Sequence, residues 1–497
     1  MPTSVVDINL RSETGTLARN TYSDTIIVAS EPTVASPTYN TPLVYDTADD
    51  VATDFGTDSD AHIASQKVEN QGADSWWVVM LERTTHSETI TDSDTSAVSS
   101  GTVANTPMAG PTGTVSISVD GTDLDVVATT DDPPTAPNSG EARYNPDTGD
   151  LKVPSPSSGS GAGIQVDYET NSWAKAKPEM DALDLELCLL ADVRAGPGYI
   201  GDLDELLTWS SSHRASMITA LENGSDYADD TEALAAAHNV AAYLPSGNHM
   251  CVAHKSSDDV AAAITGRIST KRPWFDPYWD GAADYGINTG YYRESMVGNP
   301  NAPGTFEGGD SNQDGPVNVL ISQSGNLVMS NSLSTAGEGS NYQYFDVRRT
   351  EDFVAGEARA ALTGLRLRRD QIPFAPIGRT LIQDAIRSRL QPYVATGATT
   401  VVNKQNEQNE DQEEDQGDTE GEQQKEEDER QKDQEEMLTE KGNTDSGVPL
   451  GKLTIQVPRI DQLGPQARGN RVWENIRIEG RLASNVHTFS VDLSVKV

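Results

Sequence analysis

The stretch HTFSVDLSVKV, residues 487–497, alternates polar and apolar residues without a break from Thr488 onward. Because the side chains of a β-strand point to opposite faces in turn, one face of this segment is wholly apolar. The residues of that face are Phe489, Val491, Leu493, Val495 and Val497. A strand this regular is normally paired, and the pattern leaves two partners open. One is a sheet of the same chain, and the other is a sheet in another subunit, reached by strand addition.

Shorter patterns of the same kind lie near the other end of the chain. The runs TIIVAS (25–30) and WWVVML (76–81) predict two buried strands, and an amphipathic helix is predicted between them, from residue 46 to residue 72. The first residues show a brief alternation that predicts a strand or an extended arm. Its apolar residues are Val6, Ile8 and Leu10.

Pattern and composition together predict an α+β, multidomain protein. Short alternating runs separated by turns predict a small all-β insert, and mixed helix and strand patterns predict an α/β domain in the middle of the chain. The Ser/Thr/Gly-rich residues 84–113 are predicted to be a linker. The predicted segments are 1–24 (N-terminal arm), 25–90 (first core segment), 91–170 (inserted β-rich domain), 171–335 (α/β domain), 336–402 (second core segment), 403–447 (acidic low-complexity insertion) and 448–497 (third core segment with a C-terminal strand arm).

The charge of the chain limits its partners. The sequence holds 77 Asp and Glu residues against 36 Lys and Arg, a net charge of −41, yet 35% of its 497 residues are hydrophobic. That apolar share suffices for folded domains. A surface this negative repels nucleic acid and anionic membranes. Carboxylates scattered along the whole chain indicate a halophilic source, where salt screens their repulsion. An acidic protein of a mesophile is the alternative.

Targeting signals are not evident. The first residues, MPTSVVDINL, lack the basic start and apolar run of a secretory signal, and no stretch approaches the roughly 20 apolar residues of a membrane span. The protein is therefore expected to be made and assembled in a cytoplasm.

Two stretches depart from the average charge. Nine arginines crowd into a stretch of the chain that has few acids, and they predict contacts with acidic surfaces of neighbouring copies or of a partner. Pairing with acids of the same chain is the alternative. The nine are Arg348, Arg349, Arg359, Arg366, Arg368, Arg369, Arg379, Arg387 and Arg389. Residues 403–447 are mostly Gln, Glu and Asp, which bury no apolar surface, so an exposed insertion for solubility or spacing is predicted.

Motifs for catalysis are missing from the sequence. It has no phosphate-binding loop, metalloprotease helix, nucleophile elbow or CxxC pair. An enzyme is therefore not expected, and no cofactor is predicted. On a strand, His249 and Cys251 would share a face but His254 would not, which favours a buried strand over a metal site. The segment Asp310–Gly315 copies the first half of a calcium loop, but Ile321 stands where the bidentate Glu belongs. Whether the Asp310–Asp314 loop binds calcium is left open.

A family resemblance rests on several short sequence segments and on their order along the chain. TPLVYDTADDVATDFG (41–56), followed by Gln71-Gly72 and WWVVM (76–80), resembles the N-terminal region of contractile tail sheath proteins. YFDVRR (344–349), with a helix after it, resembles the Val-Arg-Arg helix entry of that family. The strand patterns at 453–457 and 473–478, before the closing strand, are similar to its C-terminal layout.

The resemblance implies an architecture and a role. The N- and C-terminal regions would form a mixed αβ inner core, and the inserted domains would face outward. Val6, Ile8 and Leu10 would form one arm and residues 489–497 the other, each completing a sheet in an adjacent subunit. Copies would stack as rings, hexameric in this family, around a tail tube protein, with baseplate and tail terminator proteins at the ends.

That role would be mechanical. The sheath would contract and drive the tube through a host envelope, its subunits passing from a metastable packing to a more stable one. The expected location is a virion tail assembled in the host cytoplasm, either of a tailed virus of a halophilic archaeon or of a related contractile injection system. Two alternatives remain. One is another virion structural protein of the tail tube, baseplate or capsid, and the other is an acidic surface adhesin or hydrolase.

Overall fold

The chain folds as two compact units. Residues Thr21–Asp346 form one, here called the large unit. Residues Met1–Asn20 and Val347–Val497 form the other, here called the terminal unit. The computed structural model describes residues 4–8, 24–91, 98–106, 115–129, 134–154, 163–191, 197–222, 230–256, 259–273, 275, 277, 292–293, 316–323, 326–337, 340, 342–369, 372–394, 399–400, 450–470, 472–482 and 488–496.

Strands and helices are numbered in chain order over the described residues. The strands are β1 (Ser4–Ile8), β2 (Thr25–Ala29), β3 (Leu43–Tyr45), β4 (Trp76–Met80), β5 (Arg83–Thr91), β6 (Val98–Thr102), β7 (Ser116–Val119), β8 (Thr122–Asp123), β9 (Asp125–Ala128), β10 (Glu141–Tyr144), β11 (Asp150–Pro154), β12 (Gly163–Asn171), β13 (Leu187–Leu190), β14 (Ser216–Glu222), β15 (His249–His254), β16 (Tyr292–Arg293), β17 (Asn318–Gln323), β18 (Asn326–Met329), β19 (Thr399–Thr400), β20 (Leu450–Gln456), β21 (Val472–Leu482) and β22 (Thr488–Lys496). The α-helices are α1 (Ala48–Phe55), α2 (Asp60–Asn70), α3 (Trp173–Met180), α4 (Ile200–His213), α5 (Asp230–Tyr243), α6 (Val260–Ser269), α7 (Phe345–Arg368), α8 (Pro376–Leu390) and α9 (Pro465–Asn470).

A mostly parallel sheet is the centre of the large unit. Its strand order is β16-β17-β15-β14-β13-β2-β4-β3, and β18 pairs with β17. Strands such as β2 and β13 are buried along their whole length, as a sheet covered on both faces requires. Helices α3, α4 and α5 supply the apolar residues on one face, and α1, α2 and α6 supply them on the other.

A β-sandwich is inserted between β4 and α3 of the large unit. Its two sheets have the strand orders β5-β12-β7-β8 and β6-β11-β10-β9. They share one core, in which Ile117, Tyr144, Leu151 and Val166 are buried. Strand β5 runs through the start of the predicted linker and pairs with β12 over nine residues. Thr and Ser suit a strand with one solvated face, so their abundance at 84–113 did not mark a linker there.

The terminal unit contains a five-stranded sheet of order β1-β22-β21-β20-β19. Strands β20, β21 and β22 pair antiparallel, whereas β1 on β22 and β19 on β20 pair parallel. Helix α8 buries Ile382, Ile386 and Leu390, an i, i+4, i+8 stripe that forms its apolar face.

The predicted mixed α+β multidomain fold is confirmed, but one grouping of segments differs. Residues 25–90 were predicted to form a core with the C-terminal region. In the structure β2, β3 and β4 pair within the sheet of the α/β domain, and the strand that joins the C-terminal region is β1. Hydrophobic runs mark buried strands but do not say which sheet they enter, which explains the difference.

Candidate assembly interface

Strand β22 is an interior strand of the terminal sheet. Its partners in β21 include Ile478 for Val491, and β1 pairs along its other edge. Val491 and Leu493 are fully buried, as the apolar face of the sequence predicts. Phe489 and Val495 lie in the same strand, and Val497 lies outside the described residues.

Strand β1 occupies the edge of that sheet. It runs parallel to β22, with Val6 opposite Leu493 and Ile8 opposite Val495. Leu10 falls outside the described residues. Among the described strands β1 pairs with β22 alone, so its outer edge presents backbone donors and acceptors that another strand can use. Within one chain, the two predicted arms therefore meet each other. The proposed exchange between subunits stays a prediction.

A bulge fixes the register of β22. The pairing of β21 with β22 shifts between Trp473 and Ile476, and Asn475 in the bulge has a φ of 60°. Trp473 is fully buried, with the centre of its ring 5.2 Å from that of Phe374. A slip of one residue would turn Val491 and Leu493 away from the core, so register here is strongly specified.

Four of the nine arginines in the predicted cluster are tied into the fold. Arg348 pairs with Asp352 at 2.9 Å, one helical turn on, and Arg349 is buried. The Arg389 Nε atom lies 2.5 Å from Oε2 of the buried Glu357. Arg379 Nε donates to the carbonyl oxygen of Val457 at 2.6 Å, which links α8 to the end of β20. Burial, followed by the nearby Arg459, lowers the pKa of Arg379. These arginines are structural within the chain.

Three arginines of the cluster are exposed at the end of α7. Arg366, Arg368 and Arg369 lie at the surface, and Leu367 between them is 64% exposed. Arg366–Arg368 are the last three residues of α7 and Arg369 follows the helix; successive helix residues point about 100° apart, so the exposed side chains point in different directions. Among the described residues, the end of α7 therefore exposes side chains in several directions. The segment Arg366–Arg369 is called the α7 tip below.

Charge is divided unequally between the two units. The large unit carries 13 Lys and Arg against 48 Asp and Glu. Residues 347–402 and 448–497 of the terminal unit carry 16 against 9, a net positive charge. The tract 403–447, with 5 against 18, lies outside the described residues. These two segments of the terminal unit are thus the basic region of an acidic chain.

The candidate metal ligands lie on a buried strand. His249 Nε2 is 2.8 Å from Thr219 Oγ1, and its Nδ1 is 3.2 Å from the Leu244 carbonyl oxygen. Burial lowers the pKa of His249 to about 4 and raises the pKa of Cys251 to about 12. His249 therefore joins β15 to β14 and to the turn before β15. Within the described residues no group of three or more His, Cys, Asp or Glu could hold a metal ion, and the Asp310–Asp314 loop lies outside them.

Comparisons with known proteins found similarity only at the level of structure. No family model matches the chain, and no curated protein matches it. Three solved structures of the anti-feeding prophage are similar to it. Its baseplate has a TM-score of 0.40 at 14% identity, over 82% of this chain and 83% of that one. Its contracted helical sheath has a TM-score of 0.40 at 12% identity, over 74% of this chain and 76% of that one. Its contracted baseplate has a TM-score of 0.37 at 11% identity, over 78% of this chain and 84% of that one.

None of the helices in the described residues is long and apolar enough to cross a bilayer.

Proposed function

We propose that this chain is a structural subunit that polymerises with copies of itself by exchanging terminal strands, and that it acts as the sheath of a contractile tail or injection machine. The pairing of β1 carries the proposal. The strand sits at a sheet edge, separated in sequence from the rest of its unit by the whole large unit. The resemblance of residues 41–56, 76–80 and 344–349 to sheath proteins points to the same role.

Exchange of β1 between copies is close to neutral in the free energy of strand pairing. Moving β1 from its own β22 onto the β22 of a neighbour replaces each parallel pair by an identical one. The five paired positions from Ser4 to Ile8 are regained in full, so the cost is chiefly the entropy of association. A chain that can pair in two equivalent ways forms a closed monomer when dilute and an open polymer when concentrated.

The arrangement also suits a contracting assembly. A strand shared between two subunits tethers them while leaving the rest of each subunit able to tilt. Such a sheath would surround a tail tube protein, would end on baseplate and terminator proteins, and would need no catalytic group. An origin in a virus of a halophilic archaeon, with assembly in the host cytoplasm, belongs to the same proposal and is supported by the charge of the chain alone.

Electron microscopy of the purified protein tests the proposal. We expect tubular polymers in which rings repeat along an axis, in an extended and a shortened form. Val6→Pro removes a backbone donor at the centre of β1 and should abolish polymers while leaving the melting temperature within a few degrees of wild type. Val6→Thr keeps a β-branched side chain and is the matched control, expected to polymerise.

Different results would contradict the sheath role and the strand exchange. Closed shells, or narrow tubes of one fixed length per ring, would favour another virion structural protein. A Val6→Pro protein that polymerises as well as Val6→Thr would contradict strand exchange.

A further inference from the structure

The α7 tip is the least covered segment of the terminal unit that the structure describes. Its four residues are all exposed, and three of them are arginines. Leu367 and Ile377, at 64% and 62%, are the two most exposed large apolar side chains of the described residues. Both stand beside the connection from α7 to α8, one before it and one after it.

Stability of the helix does not explain this composition. A cation near a helix C-terminus is favourable, and one or two arginines would provide that effect. An exposed leucine between them adds nothing to the helix dipole interaction. Arginine with a large apolar residue is the composition typical of protein–protein contact surfaces.

The chain itself supplies a surface of the opposite charge. The large unit has 48 carboxylates against 13 cations, an excess of 35. Its exposed acids include Asp50 and Asp54 on α1, with Tyr39 and Val44 exposed in the same region of the chain. A surface with carboxylates and scattered apolar side chains complements a tip that carries guanidinium groups around one leucine.

From these observations we infer that the α7 tip docks on the acidic large unit of a second copy of this chain. The contact is heterologous, because a basic site of one copy meets an acidic site of the next, and such contacts propagate into rings or helices. The inference rests on the proposed function and adds to it a second contact, formed by side chains and independent of the exchanged strand.

Charge reversal of the tip tests this inference. In Arg366→Glu/Arg368→Glu/Arg369→Glu, we expect the critical concentration for polymerisation, measured by sedimentation at fixed salt, to rise at least about tenfold. In the matched control, Arg366→Lys/Arg368→Lys/Arg369→Lys, the charge is kept and the rise should be about twofold or less. Exposed side chains at a helix end have little effect on folding, so both proteins should melt as wild type does. A reversed tip that polymerises like the control would overturn the inference.

Cross-linking identifies the surface that the α7 tip contacts. A photoreactive group is placed at position 367, and an isotopically mixed polymer separates links within a copy from links between copies. We expect links between copies that end within residues 21–346. Links that end only in the terminal unit, in residues 403–447, or in an added tube protein would overturn the inference.

The two proposed contacts, strand exchange and docking of the α7 tip, can be refuted independently of each other. If Val6→Pro polymerises but the reversed tip does not, strand exchange is wrong and the tip contact stands. If the reversed tip polymerises but Val6→Pro does not, the tip contact is wrong and strand exchange stands. A wild-type chain that never polymerises overturns both.

Discussion

His249 is held in the protein interior, where burial disfavours its charged form. It is fully buried, and burial lowers its pKa from 6.5 to about 4. Because the folded-state pKa lies below the unfolded one, its contribution to stability is complete above pH 6.5 and is lost as the pH falls toward 4. The imidazole is therefore a point of acid sensitivity within the large unit.

His249→Gln should remove this sensitivity. Between pH 6.5 and pH 4 the free energy of unfolding of the wild type should fall by about 3 kcal/mol more than that of the variant. Urea unfolding of both proteins across that pH range measures the difference and cancels the titration of the many carboxylates. Parallel pH profiles for the two proteins would contradict the burial of a neutral imidazole.

A second residue-scale prediction concerns the pair of Arg389 and Glu357. The Glu357 side chain is 2% exposed and that of Arg389 is 40% exposed, so the two partners are unequal. Arg389→Met deprives a buried carboxylate of its guanidinium and should cost about 3 kcal/mol. Glu357→Gln leaves a guanidinium that water can reach, and it should cost about 1 kcal/mol. If urea unfolding gave the same loss of unfolding free energy for both variants, the difference in burial between Glu357 and Arg389 would not determine the cost.

Composition alone predicts an exposed insertion at residues 403–447, which lie outside the described residues, whereas the division of the arginines required the structure. Nine arginines between residues 347 and 402 predicted one interface cluster. In the structure Arg349 is buried, and Arg348, Arg379 and Arg389 contact other parts of the chain. The three arginines of the α7 tip are exposed. Which side of a helix is covered depends on the tertiary partner, and local sequence does not contain that information.

At the scale of elements, periodicity predicted strands well and their partners poorly. The predicted strands at 25–30 and 76–81 correspond to β2 and β4, which nevertheless enter a different sheet from the one expected. The predicted helix at 46–72 is two helices, because Gly56 ends the first with a φ of 102° and Ser59 caps the second. A glycine inside an amphipathic pattern was a signal for that break.

The position of β22 changes what truncation should do. The strand lies between β21 and β1, and its Val491 and Leu493 are fully buried. Deleting residues 489–497 should therefore unfold the terminal unit, since each of these two side chains contributes about 1.5–3 kcal/mol. Deleting residues 1–10 removes an edge strand only and should leave that unit folded. Calorimetry of both variants tests whether the first deletion is the more destabilising. A protein without residues 489–497 that melts as wild type does would contradict the interior position of β22.

At the scale of the whole molecule, the excess of carboxylates should make folding depend on salt. The large unit holds 48 acids against 13 cations, so its self-repulsion is strong wherever the screening length is long. We expect the melting temperature to rise steadily from about 10 mM to about 2 M KCl. Melting curves recorded by circular dichroism at matched protein concentrations measure this dependence on salt. A melting temperature that is flat over this range would contradict the proposed halophilic origin.

The central claim is that β1 of one copy pairs with β22 of another, and a disulfide can capture that pairing. Asp7 and Ser494 are opposite each other in the parallel register, and both native cysteines are buried. One preparation carries Asp7→Cys and a second carries Ser494→Cys, so a bond between these positions can form only between copies. We predict that the mixed polymer, once oxidised, yields dimers joined between residues 7 and 494. Polymers that give no such dimers, while a single chain carrying both substitutions closes on itself, would contradict it.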